Sequence, residues 1–297
     1  MLLSTQTQVL TKAYTDEQII DILSGAGFDA ADYTMGNSRL LKADSDLTRN
    51  EVTAKAKALR AMAADKGLVY NQCHAPAWGM EWGKEDYVRD VIFPTTVRSM
   101  ELAAALGVKI IVVHPIHHLP WRTHAEELFE MNMKFYKALE PYCEAYGIKV
   151  ATENMWNWDR NRRYIIDDTC STAAEFNRYV DSMNSKWLTG CLDIGHAVLV
   201  GSQPEDMIRT MGSKRIQALH VHDVLYTDDT HTMPYLGKVN WSAVTQALAD
   251  IGYEGDFTFE ADCFFERMPA ALQPGAVKML HDTGRQLISM IDAAKKK

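Results

Sequence analysis

Imidazole and carboxylate side chains recur in this chain at one repeating position. His74, His114, Glu153, Asp193, His220 and Glu260 are separated by 40, 39, 40, 27 and 40 residues. Each falls at or near the carboxyl end of a short run that reads as a β-strand. Further donors follow closely. His196 stands three residues after Asp193 in LDIGHA, and the stretch LHVHDVLYTDDTHTMPYLGKVNW (219–241) adds His222, Asp223, Asp229 and His231. A single His or Glu at a strand end is ordinarily a satisfied polar group, but six in register are not independent accidents. Imidazole and carboxylate together, with no thiolate needed, suit Zn, Mn, Co or Fe, and carboxylate-rich sets lean to Mn or Mg. The expected cofactor is therefore a divalent metal ion: Mn, Co, Mg or Zn. His222 and Asp223 read as outer partners, either of which would hold His220 in one tautomer. His117, His118 and His124 read as solvated surface, and His281 as structural.

Such a constellation needs a scaffold that brings strand ends together. Eight candidate strands alternate with amphipathic segments: 2–7, 28–34, 68–74, 109–114, 149–154, 188–193, 216–222 and 256–261. Between them, EVTAKAKALRAMAADKG sets Val52, Ala56, Leu59 and Ala63 at helical spacing. Thr15 with Gln18, Thr123 with Glu126, and Thr172 with Glu175 have capping-box spacing. Neither GxGxxG nor GxxxxGK[ST] occurs, which weighs against a doubly wound nucleotide-binding sheet. Eight β/α units in 297 residues point to an α/β fold, a closed (β/α)8 TIM barrel, with residues 1–297 as one domain. In such a barrel all carboxyl ends of the strands share one face, so the six donors converge at its mouth.

Composition narrows the function. The net charge is −8 with Lys and Arg scattered, so no electrostatic footprint for nucleic acid is visible. Arg160, Arg162 and Arg163 form the one notable basic cluster; Arg162 is the candidate for a substrate phosphate or carboxylate. The strongest apolar run, IIVV at 110–113, is too short to span a bilayer. Five cysteines without a CxxC pair favour reduced thiols. MLLSTQTQVL does not read as a signal peptide. Both observations lead us to expect a cytoplasmic protein. Trp78, Trp82, Trp121, Trp156 and Trp158 closely follow strands 3 to 5. Indole faces suit the C–H face of a sugar, an aromatic ligand or a subunit contact. Trp121 and Trp156 are accordingly candidates for substrate binding.

The motifs VVHP, ATENMW, CLDIGHA, LHVHD, D-x-H-x-x-P-x-x-G-x-x-x-W and FTFEAD resemble the xylose isomerase-like TIM barrel superfamily, over nearly the whole chain. That group includes sugar and sugar-phosphate isomerases and epimerases, inosose dehydratases and endonuclease IV-type apurinic endonucleases (AP endonuclease family 2). Resemblance to the ketose 3-epimerase branch implies a metal held by Glu153, Asp193, His220 and Glu260. It also implies Glu153 and Glu260 as the catalytic acid/base pair and His196 as a substrate contact, with His74 and His114 as further candidates for substrate. Resemblance to the endonuclease branch implies a larger set that adds His74, His114, His196, Asp229 and His231 as metal ligands. Asp229 follows His220 by nine positions, a shorter loop than that branch leads us to expect.

The expected function is a divalent-metal-dependent sugar or sugar-phosphate isomerase/epimerase. It abstracts a proton next to a carbonyl and passes through an enediolate that the metal stabilises. The alternatives are a metal-dependent lyase or dehydratase on a keto-sugar, inosose or C-glycoside, and an endonuclease IV-like zinc phosphodiesterase. The expected partner is a small-molecule carbohydrate, with neither membrane nor nucleic acid. Resemblance further implies a homo-oligomer and, for a C-glycoside deglycosylase, a small β-rich partner subunit.

Overall fold

The computed structural model describes residues 1–36, 40–41 and 48–296. Eight parallel strands run in the order in which they occur: β1 (Leu3–Gln6), β2 (Ala30–Thr34), β3 (Val69–His74), β4 (Ile110–Val112), β5 (Lys149–Glu153), β6 (Leu188–Asp193), β7 (Ile216–His220) and β8 (Phe257–Phe259). β8 pairs with β1, Leu3 opposite Phe257. A bridge from Val221 to Phe259, with Val221 N donating to Thr258 O at 2.9 Å, joins the end of β7 to β8 and closes the barrel. All eight expected strands are present, each within the range expected for it.

The main helices are α1 (Asp16–Ala26), α2 (Arg49–Asp65), α3 (Phe93–Leu106), α4 (Trp121–Tyr146), α5 (Ala173–Met183), α6 (Pro204–Met211), α7 (Trp241–Asp250) and α8 (Gln273–Lys295). Thr15 and Gln18 form the anticipated capping box, and Thr172 accepts from Glu175 N. Thr48 and Glu51 form a second box that the sequence reading passed over. Thr123 does not cap: α4 begins earlier, behind Pro120, and the Thr123 hydroxyl bonds to Pro120 O instead. Proline supplies a helical φ and lacks only a donor that the first turn would leave unused, so it sets the start.

The core divides in two. Most buried apolar side chains, such as Leu23, Leu59, Met100, Leu139, Phe176 and Leu248, lie between helices and barrel. Inside the barrel, Val112, Ala151, Cys191 and Ala218 form a small separate cluster, one residue from each of β4 to β7. The rest of the lumen is polar. Asn71 Nδ2 reaches Asp256 and Gln72 Nε2 bonds to Asp32 at 2.8 Å. Small side chains on β4 to β7 leave room above them for the longer polar groups at the strand ends.

Two antiparallel hairpins stand on the carboxyl-end face: Trp156–Asp159 with Tyr164–Asp167, and Asp223–Leu225 with Asp228–Thr232. The sequence predicts loops at both segments. The first is closed by Asp159, whose Oδ1 accepts from Asn161 N and Arg162 N. The second is held from below by Asp223, fully buried, whose carboxylate accepts from the backbone of Val224, Tyr235 and Val239 and from Trp241 Nε1. Gly237 permits this approach, since a Cβ there would stand 2.2 Å from Asp223 Oδ1. Asp223 thus anchors the Asp229–His231 hairpin and has no bond to His220. Among the described residues, no helix is long and apolar enough to cross a membrane.

Candidate metal centre

Strand register brings the donors together. Glu153, Asp193, His220 and His74 are the last residues of β5, β6, β7 and β3, and Glu260 follows β8 directly. His114 lies two residues past β4. His220 Nδ1 is 2.7 Å from Glu153 Oε1, 2.9 Å from Glu260 Oε2 and 4.0 Å from Asp193 Oδ2. All four of these residues are buried. On one side, His74 Nε2 and His114 Nε2 face each other at 2.9 Å, with Glu153 Oε2 at 3.1 Å from the latter. On the other, Asp229 Oδ2 lies 2.9 Å from His231 Nε2 and 3.2 Å from His196 Nε2. Three donor sets therefore adjoin, and Glu153 belongs to two of them.

Short supports orient the ligand-capable atoms. Asn154 Nδ2 donates to Asp193 O and Asn154 Oδ1 accepts from Asp193 N, tying the end of β6 to that of β5. His196 N donates to Asp193 Oδ1 at 2.6 Å, which starts the short helix Ile194–Leu199 and sets His196 beside Asp193. His222 corrects the expectation for it: Nε2 lies 2.9 and 3.0 Å from the two oxygens of Asp193, not against His220. Residue 222 lies beyond the end of β7, where the chain turns over β6, and only a glycine at 195 leaves the space. A Cβ at Gly195 would meet the His222 ring at 2.1 Å.

Burial makes these charges interdependent. It resists the ionised Glu153 carboxylate, but the neighbouring His220, His114 and His74 hold that acid well below its usual range. Burial likewise opposes charge on His231, yet Glu260 and Asp229 raise it from 6.5 to about 10. His114 goes the other way: burial outweighs Glu153 and pushes it down to about 4, which keeps a lone pair on its imidazole. Asp229 sits well below the carboxylate range, since His196 and His231 overcome its burial.

The donor set fits a divalent ion. Glu153 Oε2 and Asp229 Oδ1 are buried oxygens with no hydrogen-bond partner. A buried acceptor left this way is costly unless something else satisfies it. A divalent cation among carboxylate oxygens and imidazole nitrogens does so, and the sets contain no thiolate.

A pH dependence follows. Without metal, the protonated His231 stabilises the fold fully below about pH 6.5, and that contribution is lost as pH rises through about 10. The melting temperature of metal-free protein should fall across this window. Saturating metal, which replaces the protons, should flatten the fall and bind more tightly as pH rises. Thermal scans from pH 6.5 to 9.5 with and without chelator check this, and identical profiles in the two series would contradict it.

Above the donors lies a cavity of about 1060 Å³. His74, His114, Glu153, His196, Asp229, His231 and Glu260 face it, with Trp78, Trp156 and Trp158 on its walls. Trp156 Nε1 donates to Asp229 Oδ2 at 3.1 Å. No Lys or Arg is among the described residues that line it. Two expected contacts lie elsewhere. Arg162 is at the exposed tip of the first hairpin, bonded to Tyr164 and paired with Asp159, because the hairpin carries it outward. Trp121 turns behind the wall and donates to Glu175. Conversely, His117 lines the cavity instead of facing solvent, with Nδ1 bonded to the buried Asp168. Its offset from His114 equals that of His196 from Asp193, three residues in each case, and that was the signal available in the sequence.

Residues 20–276 match the family described as xylose isomerase-like TIM barrel. An uncharacterised protein of Methanocaldococcus jannaschii is 31% identical over 166 residues, 54% of each chain, so this chain spans about half the length of that relative. Among solved structures, a D-tagatose 3-epimerase-like protein superposes with a TM-score of 0.74 at 21% identity over 99% of both chains. The IOLI protein with a bound zinc atom gives 0.74 at 16% identity, again over 99% of both. At these identities the structural likeness speaks for the fold.

Proposed function

Because this chain belongs to the xylose isomerase-like TIM barrel family, we propose that it is a divalent-metal-dependent isomerase or epimerase of a keto-sugar. One observation carries this reading: Glu153, Asp193, His220 and Glu260 converge, buried, on the floor of an indole-walled cavity. Those four residues would hold the ion, which when bound polarises a substrate carbonyl and acidifies the neighbouring C–H. The names of the structural neighbours, an epimerase-like protein and a zinc-bound one, agree with it.

The chain's own groups supply the proton chemistry. Glu153 and Glu260 reach the floor from β5 and β8, on either side of β7, so two carboxylates can address opposite faces of one carbon. One takes the proton. Return by the other to the opposite face inverts the centre, and return to the adjacent carbon moves the carbonyl. His196, held by its Nδ1 contact of 2.8 Å with Asn154 O, presents Nε2 toward Asp229 and the cavity and can position a substrate oxygen. The indole rings cover the C–H face of the sugar.

The test is solvent deuterium exchange into pentuloses and hexuloses, free and phosphorylated, by protein loaded with Mn, Co or Mg. Deuterium entering next to the carbonyl of at least one sugar is expected. Absence of exchange across the whole panel would reject the proposal.

A second reading rests on a separate observation. His74, Glu153, Asp193, His196, His220, Asp229, His231 and Glu260 lie in three adjoining donor sets, and His114 stands beside them with Nε2 2.9 Å from His74 Nε2, which suits a multi-ion phosphodiesterase. The net charge of −8 and the want of Lys or Arg among the described lining residues weigh against a phosphate backbone as substrate. Cleavage of an abasic-site duplex by zinc-loaded protein would reverse the ranking.

A further inference from the structure

We propose that His117 and Asp168 form a substrate-recognition dyad in which His117 Nε2 accepts a hydrogen bond from a substrate hydroxyl and Asp168 holds the imidazole in the required tautomer. This rests on the sugar reading above and names a contact within the same cavity.

The geometry is specific. Asp168 is completely buried directly after the first hairpin, and its carboxylate has a full set of partners. Oδ1 accepts from Thr169 N at 2.7 Å, and Oδ2 accepts from Asn157 Nδ2 at 2.9 Å and meets His117 Nδ1 at 3.1 Å. An oxygen that already accepts from an amide is an acceptor toward the imidazole too, so Nδ1 carries the hydrogen and donates it. In the tautomer with its hydrogen on Nδ1, the imidazole bears a lone pair on Nε2. His117 lines the cavity, and among the described residues the hydrogen bond its ring makes is the one from Nδ1 to Asp168. Asn157, Trp156 and Trp158 line the same cavity. The ring centroid of His117 is 6.4 Å from that of His114, which sets the dyad beside the metal-capable floor without joining any of its donor sets.

A structural role alone would account for the Asp168 contacts, because they tie the segment after β4 to the hairpin after β5. It would not require an imidazole on the cavity wall. A site that must hold a polyol needs acceptors as well as donors, and a fixed neutral imidazole is an acceptor that neither water nor a flexible side chain would keep pointed in one direction.

The experiment uses full-length protein loaded with Mn, with D-tagatose and D-fructose as probes and tryptophan fluorescence as the binding signal. Asp168→Asn is the near-isosteric test. An amide at 168 can donate to Nδ1, which moves the ring hydrogen to Nε2 and turns the acceptor into a donor. His117→Ala removes the nitrogen altogether. Both variants should weaken binding about tenfold with metal content unchanged. Nitrogen-15 spectra of the imidazoles should show the Nδ1–H tautomer for His117 in the parent protein and the Nε2–H tautomer in Asp168→Asn, a signature that loss of packing would not produce. Parent and variants binding a probe equally would overturn the dyad and leave the sugar reading standing. An Nε2–H tautomer in the parent would overturn it as well. If the parent bound neither sugar, the first sugar of the exchange panel to take up deuterium serves as the probe, and exchange with none of them would overturn the sugar reading and the dyad with it.

Discussion

The Glu260→Gln variant is expected to lose at least about 10³-fold in kcat for proton exchange while keeping its fold. The substitution preserves volume, and Gln can still meet His220 Nδ1, now 2.9 Å from Glu260 Oε2. What it lacks is a basic oxygen: a neutral amide cannot accept the substrate proton in the transition state. It also removes one negative charge from the floor, so metal affinity should weaken in parallel. Deuterium exchange separates the two effects when measured over a range of metal concentrations, because saturating metal restores occupancy but not the base. Full activity at saturation would remove Glu260 from the acid/base pair. Glu153→Gln should be the more damaging change to stability. Glu153 contacts His220, His114 and His74, and a neutral group there leaves the buried His220 and His74 imidazoles without a counter-charge.

Protein purified without added metal or chelator should carry close to one tightly held divalent ion per chain, measured by mass spectrometry. Glu153, Asp193, His220 and Glu260 offer three carboxylates and one imidazole, all buried, within 4.8 Å of one another. Stripping that ion should lower stability by about 4 kcal/mol relative to an ion concentration near 1,000 times Kd, or roughly 6–7 °C in Tm for a chain of this size. Asp193→Ala and His220→Ala should abolish both the ion and the shift. A count near three would mean that His74, His114, His196, Asp229 and His231 are ligands as well, and phosphoester hydrolysis would then rank above epimerisation. A chain that held no ion, and whose Tm chelator did not move, would contradict the metal centre itself.

How far the sequence reached differs from residue to residue. The barrel was legible because its signal is local: eight β-rich runs, each bounded by helical periodicity, recover β1 to β8. Glu153, Asp193, His220 and Glu260 were legible for the same reason. A strand fixes the direction of each side chain by parity and its height by register, and parallel strands put all their carboxyl ends on one face. Once Glu153 is the last residue of β5 and Cys191 its neighbour on β6, Asp193 can reach the same floor.

What lay beyond strand ends was decided by tertiary contacts. Arg162 and Trp121 have the chemistry of substrate contacts, but the first hairpin carries Arg162 out to solvent and Glu175 draws Trp121 behind the wall. His117 has the composition of a surface residue, yet Asp168, 51 positions later, pulls it to the cavity. His222 was read as the partner of His220, two residues away, and instead bonds Asp193 across the gap that Gly195 leaves. The sequence by itself determined the barrel, the face of the site and the four residues of its floor, because strand periodicity and βα spacing act over short distances along the chain. Only the tertiary structure decided which loop residues join that floor, because a loop has no fixed period and its side chains point wherever contacts remote in sequence hold them.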